Sequence, residues 1–236
     1  MISTHMYLFL NYRTGSLIET DFINIRPIQG GSINDRGNFN SQVYLVDYVG
    51  PGVLQNKEML LKVYNPVLAS NRFSESTRAS FLQRLSNCLI MFATEVFCYK
   101  ILNENGPDEV NVSSFGFDSE SETNYVPQMY QYGFLKWKAP QIGFFILQEY
   151  IKPERVESKS KAIELATTSL EFIHNKDIIH EDIKESNFIF GNGRCYFIDF
   201  GLARVERFIL YGNGLFNYLK ENELDNLKYV ISNLEI

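Results

Sequence analysis

The rhythm of hydrophobic and polar positions along this chain changes near residue 151, which reads as two halves of one fold. In the first half the clearest signal has period two. Ser41 to Asp47 (SQVYLVD) and Met59 to Tyr64 (MLLKVY) set β-branched and aromatic residues in partial alternation, which predicts two strands. Gly50-Pro51-Gly52 between them marks a turn, so the pair is expected to form a hairpin. From Glu75 to Leu102 the period lengthens. Leu82, Leu85, Leu89, Phe92, Val96, Tyr99 and Leu102 recur at helical spacing with few breakers, predicting one long helix or two shorter ones. Asn103 to Tyr125, rich in Asn, Gly, Asp and Ser, is expected to be an exposed loop. Gln141 to Ile151 (QIGFFILQEYI) has an apolar centre too brief for most helices and reads as a buried strand, ended by Pro153.

In the second half, Ser158 to Asn175 puts Ile163, Ala166, Leu170 and Ile173 on one face, with Ser158 or Ser160 available as cap, and predicts a helix. Strands near Phe188 to Phe190 and Cys195 to Ile198 flank Gly191-Asn192-Gly193, which is hairpin chemistry. A final helix is expected over Glu223 to Leu234.

Composition narrows the class. With 45% apolar and 14% aromatic residues the 236-residue chain is not a disordered one, and its length suits one domain, or two small lobes sharing a cleft. The 28 acidic and 22 basic residues leave a net charge of −6, which argues against a broad nucleic-acid surface but leaves room for a local basic pocket. The longest unbroken apolar run is six residues, Cys88 to Ala93, whereas a spanning helix needs roughly 20. No membrane partner is therefore expected, and Met6 to Leu10 lacks the flanks of a secretory signal. Cys88, Cys98 and Cys195 form no paired spacing and no metal cluster with the three histidines, which suits a reducing cytoplasm or nucleus.

The densest polar cluster is His180-Glu181-Asp182-Ile183-Lys184-Glu185-Ser186-Asn187, followed twelve residues later by Asp199-Phe200-Gly201. The hairpin between them would bring Asn187 and Asp199 together. A carboxylate beside an amide oxygen offers hard ligands that suit Mg²⁺ on a polyphosphate. Asp182 is placed to orient a hydroxyl and accept its proton, and Lys184 to neutralise charge on a moving phosphoryl group.

HEDIKESN followed by IDFG resembles the catalytic loop and metal-binding segment of eukaryotic-type protein kinases, HxDxKxxN plus DFG. The resemblance extends over about residues 25 to 235. It implies an α+β, bilobal fold with a β-rich lobe over about residues 20–150 and a mainly helical lobe over 151–236. It also implies ATP and Mg²⁺ as cofactors, with Asp182 and Lys184 in catalysis and Asn187 and Asp199 on the metal. Lys62, in LLKVYN, resembles the strand lysine that grips the α- and β-phosphates, although alone it reads as an ordinary strand lysine. Glu95 is the matching partner on the helix, with Glu75 a rival, because a buried lysine needs a counter-charge. Glu149 and Ile151, in QEYI, resemble the hinge whose backbone meets the adenine edge.

Other positions depart from the pattern. Gly30, Gly31 and Gly37 fall where the family has its phosphate loop, yet Ser41 stands where a last glycine is expected and the loop is lengthened. Glu181 replaces the arginine that many members use to receive a phosphate, so regulation at that point is not expected. His180 and Phe200 read as structural. Only 35 residues follow Gly201 and none reads Ala-Pro-Glu, which predicts a reduced second lobe, as in small atypical kinases such as the one in the KEOPS tRNA-modification complex. Asp225 is a candidate for the start of a helix beneath the catalytic loop. The leading expectation is a serine/threonine protein kinase with a protein substrate. Two others stand beside it: a small-molecule hydroxyl kinase, which generally lacks the lysine at position 184, and a pseudokinase or ATPase-like module with a regulatory protein partner.

Overall fold

The computed structural model describes residues 8–11, 17–19, 22–29, 41–48, 57–64, 78–103, 125–136, 142–206 and 212–235. The chain is α+β and divides into two compact units, Met1–Ala93 with Met129–Tyr150, and Thr94–Gln128 with Ile151–Ile236.

The first unit is built on β1 (Leu8–Asn11), β2 (Leu17–Glu19), β3 (Phe22–Gln29), β4 (Ser41–Tyr48), β5 (Glu58–Tyr64), β6 (Met129–Lys136) and β7 (Ile142–Glu149). They form one sheet in the order β2-β1-β6-β7-β5-β4-β3, antiparallel throughout. The expected hairpin is β4–β5, in register from Ser41 opposite Tyr64 to Asp47 opposite Glu58; its turn glycines lie outside the described residues. In β5 every residue from Met59 to Tyr64 is buried. A strand buried on both faces loses the strict alternation of a half-exposed one, which is why MLLKVY alternates only in part.

Helix α1 (Arg78–Leu102) is continuous, its residues to Ala93 belonging to the first unit and those from Thr94 to the second. In the first unit Phe92 seats it on the sheet, stacking on Phe144 at 5.1 Å and meeting Tyr64 edge-on at 6.1 Å. The buried stripe runs through Cys88, Phe92, Glu95, Val96, Tyr99 and Leu102, while Leu82 and Leu89 are 53% and 44% exposed. The predicted heptad-like stripe therefore holds only toward the C-terminal half. By length and composition Leu82–Leu102 is apolar enough to cross a membrane, with mean hydropathy 1.4, a feature that the longest unbroken apolar run does not register because polar residues interrupt it. Its interlocking aromatic side chains and its buried Glu95 are features of a core helix.

The second unit contains α2 (Lys159–Asn175), β8 (Ile178–Ile179), β9 (Phe188–Gly191), β10 (Arg194–Phe197), β11 (Arg204–Val205) and α3 (Gly212–Ser232), with single 3₁₀ turns at Glu185–Asn187 and Phe200–Leu202. Ser158 caps α2, its extended backbone letting Oγ accept the Lys161 N–H at 3.2 Å. Ala162, Ala166, Leu170 and Ile173 bury one face of α2, and Ser169 Oγ donates to the Cys195 carbonyl at 2.6 Å, tying the helix to β10. The β9–β10 hairpin turns through Asn192 and Gly193, both left-handed at φ 51° and 71°, as a two-residue type I′ turn requires. Gly191 is not a turn residue. It ends β9, where a Cβ would come within 2.7 Å of the Lys152 carbonyl oxygen.

Helix α3 begins eleven residues before the predicted Glu223. Phe216, Glu223, Leu227 and Ile231 form its buried stripe, and the glycines at 212 and 214 obscure the first turns in the sequence. Lys159 Nζ donates to the Ser232 carbonyl at 2.7 Å, clasping the start of α2 to the end of α3.

Candidate active site

The polar cluster of the second unit hangs between α2, α3 and the β9–β10 hairpin. Asp177 closes α2 in a left-handed conformation, and β8 then carries the chain into His180. The His180 ring is fully buried, 4.8 Å from the Phe200 ring and 5.7 Å from Phe197, and Phe200 in turn meets Tyr99 edge-on at 5.4 Å. Its Nε2–H donates to the Ile198 carbonyl at 2.9 Å and its Nδ1 accepts the Asp182 N–H at 3.3 Å, which fixes a neutral tautomer. Burial pushes its pKa down, against the opposing pull of the Ile198 carbonyl and the Glu223, Asp199 and Asp182 carboxylates. Those last two groups act on one ring from two separate segments of sequence. His180 and Phe200 thus hold the loops by packing and hydrogen bonding.

Three of the sequence-predicted residues, Asp182, Lys184 and Asn187, meet in the second unit. Asn187 Nδ2 donates to both the Asp182 carbonyl at 2.9 Å and its Oδ2 at 2.8 Å. Lys184 Nζ reaches the same Oδ2 at 2.5 Å. Both contacts fall on one oxygen, which leaves the other edge of the carboxylate pointing away from the clasp. Asn187 is 2% exposed, held by its own N–H on the Lys184 carbonyl at 2.9 Å, while its carbonyl accepts the Ile198 N–H at 3.0 Å. That last bond joins the Asn187 turn to the residue before Asp199. Asp199 itself sits at φ 66°, ψ 63°, a left-handed conformation that costs a non-glycine residue roughly 1–2 kcal/mol. Such strain persists only where the surroundings over-determine it, and it concentrates at sites that position ligands.

Asn187 and Asp199 supply an amide and a carboxylate, the hard oxygen donors that Mg²⁺ takes with substrate phosphates, and the Asn187 Nδ2–H groups are turned onto Asp182. Among the described residues no group of three His, Cys, Asp or Glu side chains converges as a metal cluster.

The other expected site residues divide between the units. In the first, Lys62 is 4% exposed on β5 with Nζ 5.1 Å above the Tyr64 ring. It shares a sheet face with Tyr64, and hence with Phe92. Glu149 ends β7 opposite Met59, and after burial it is the cause that holds the Tyr130 phenol up at about 12. In the second, Glu95 is fully buried on α1. Its carboxylate adds to burial in pushing the Cys98 thiol up to about 12. Ile151 is buried, its Cγ2 2.8 Å from where a Cβ on Gly191 would lie. Gly30, Gly31, Gly37 and Glu75 lie outside the described residues. All three cysteines are buried, and burial raises each thiol, Cys88 to about 11, as core residues behave.

Two features escape the sequence reading. The helix beneath the His180–Asn187 loop begins at Gly212 rather than at Asp225, and the carboxylate it sets under the loop is that of Glu223. Glu223 Oε2 accepts the His180 N–H at 3.1 Å and Oε1 accepts the Glu181 N–H at 2.5 Å, with Asn226 Nδ2 on the Ile183 carbonyl at 3.5 Å. Asp225 points outward, its side chain 82% exposed and 3.8 Å from Lys228. His174, which shows no partner pattern in the sequence, is buried with Nε2 2.8 Å from Glu223 Oε2. A signal existed: the 3.6-residue stripe through Phe216 and Leu227 carries position 223 inward and position 225 out.

No protein-family model matches this sequence.

Proposed function

We propose that this chain is an ATP- and Mg²⁺-dependent phosphotransferase with a protein kinase-like bilobal fold, acting on serine or threonine hydroxyls of a protein substrate in the cytoplasm or nucleus. The observation that carries the reading is the clasp on Asp182. An amide at Asn187 and an ammonium at Lys184 both engage one carboxylate oxygen, at 2.8 and 2.5 Å. The same asparagine is bonded through its carbonyl to the segment that bears Asp199. A general base, a mobile cation and a pair of hard ligands are the parts that phosphoryl transfer needs, since it relies mainly on positioning and charge stabilisation.

In this reading Asp182 aligns the acceptor hydroxyl and takes its proton, and Asn187 keeps that carboxylate in one orientation. Lys184 neutralises charge developing on the transferred group. Asn187 and Asp199 hold Mg²⁺, which when bound neutralises the β- and γ-phosphates. Lys62 is assigned to the α- and β-phosphates, and the backbone at Glu149 and Ile151 to the adenine edge.

The test is thermal unfolding with ATP and Mg²⁺, followed by transfer of labelled phosphate to protein. Saturating nucleotide at 100 times its dissociation constant should stabilise the fold by about 2.7 kcal/mol. Asp199→Asn and Asp182→Ala should each lower transfer at least about 100-fold, the scale of a lost base or charge stabiliser, with melting temperature little changed. Full transfer by Asp199→Asn would overturn the metal assignment. Transfer confined to small metabolites would move the reading to another hydroxyl kinase, and binding without transfer to a nucleotide-binding regulatory module.

A further inference from the structure

The catalytic loop and the segment after Asp199-Phe200-Gly201 are joined by a contact that the phosphotransfer chemistry does not use. Arg204 Nη2 lies 3.0 Å from Glu181 Oε2. Arg204 stands on β11, which pairs with β8 through Arg204 opposite Ile179 and Val205 opposite Ile178, and the Glu206 N–H donates to the Asp177 carbonyl at 2.9 Å. Glu181 is itself an unusual residue. It sits between His180 and Asp182 at φ 65°, in the left-handed region that few non-glycine residues occupy. Its backbone N–H is taken by Glu223 at 2.5 Å and its side chain by Arg204, so one residue is gripped from α3 on one side and from β11 on the other. Rotation about the backbone of Glu181 would swing the next residue, Asp182.

We propose that Arg204 is a positioning residue for Asp182: by clamping Glu181 it ties the base-bearing loop to the metal-bearing segment through a link encoded in the sequence, with no added phosphate. The polarity is the reverse of the arrangement that the kinase resemblance implies, in which a cation on the loop receives a phosphate on the segment. Here the anion, Glu181, is on the loop and the cation, Arg204, is on the segment. The clamp rests on the phosphotransferase reading for its consequence in catalysis, but its mechanical part stands on the second unit alone. Its side chains are 21% and 51% exposed, so the link is one that salt weakens.

The test uses the full chain with Glu181→Arg, Arg204→Glu, the double reversal and the conservative Arg204→Lys. Backbone hydrogen exchange at Glu181, Asp182 and Arg204 to Glu206 reads the clamp without reference to activity. Each single reversal should speed exchange there by roughly two- to fivefold, the range of a partly exposed ion pair. The double reversal and Arg204→Lys should return it toward the wild-type rate. Where transfer is measured, the single reversals should lower kcat by a similar factor with the nucleotide KM unchanged, and phosphatase-treated wild type should keep its full rate. A double reversal no slower in exchange than the sum of its singles would overturn the clamp. So would loss of wild-type activity on phosphatase treatment. If wild type transfers no phosphate at all, the phosphotransferase reading falls while the exchange series still decides the clamp.

Discussion

Glu223 Oε2 lies 2.8 Å from His174 Nε2 while the same carboxylate accepts the backbone N–H groups of His180 and Glu181. One side chain from α3 therefore satisfies the end of α2 and the start of the His180–Asn187 loop together. His174, His180 and Glu223 are buried, so these groups have little water to fall back on.

Glu223→Ala should cost about 3–5 kcal/mol, because it strands buried polar groups that were paired with one charge. Asp225→Ala, two residues on, roughly 200° around the helix and exposed, should change stability by less than about 0.5 kcal/mol. Urea unfolding of the two variants beside wild type checks the contrast. Equal effects would mean that the loop is not suspended from Glu223.

Acidification should destabilise the second unit through His180. Burial depresses the pKa of this ring in the folded chain. Below the ordinary histidine value of about 6.5 the unfolded chain takes up a proton that the native ring does not. The unfolded state then binds more protons, so stability is complete above that pH and falls as pH drops toward the depressed folded value. Urea midpoints between pH 7.5 and 5.5 should show a loss approaching about 1.4 kcal/mol per pH unit at the steepest part. His180→Asn should be less stable throughout yet flatter in that window. An unchanged slope in the variant would assign the titration elsewhere.

Legibility in the sequence followed locality. The β4–β5 hairpin, α2 with its Ser158 cap and the β9–β10 turn are written in neighbouring residues, and Asp182, Lys184 and Asn187 meet because they share one short loop. What escaped depends on contacts distant in sequence. Glu223 is 43 positions from His180, and only the rotation of α3 distinguishes it from Asp225. Strand β1 pairs with β6 more than 120 residues further on, and short strands such as β8 and β11 carry two residues each, too few for any period. Glu181 reads in the sequence only as the place of a missing cation; its pairing with Arg204 needs the β8–β11 register.

The two glycines of the β9–β10 hairpin should fail for different reasons. At Gly191 a methyl group would press on the Lys152 carbonyl oxygen at 2.7 Å and on Ile151 at 2.8 Å. At Gly193 nothing lies within 4 Å, but φ is +71°. Gly191→Ala should cost about 1–3 kcal/mol through overpacking, and Gly191→Asn at least as much. Gly193→Ala should cost about 1 kcal/mol through backbone strain, most of it recovered in Gly193→Asn, since asparagine tolerates the left-handed region. Denaturation midpoints of the four variants separate the two mechanisms. Rescue at position 191 by asparagine would show that contact with Lys152 is not what fixes glycine there.

Gln148 supplies the last case, a buried polar group without return. It is 4% exposed on β7, between Leu60 and Met129 on the flanking strands, and its Oε1 has no hydrogen-bond partner. Burying an amide oxygen unpaired costs on the order of 1–3 kcal/mol, and replacing it by an apolar group of similar shape removes that cost. Gln148→Met should therefore raise the unfolding free energy by about 1 kcal/mol or more, although it deletes the only polar side chain in the run from Phe144 to Gln148. The side chain shares its sheet face with Ile146 and Phe144, where methionine has apolar neighbours to pack against. A midpoint lower than wild type would mean that the amide is satisfied in solution, and the apparent defect in the β7 core would be withdrawn.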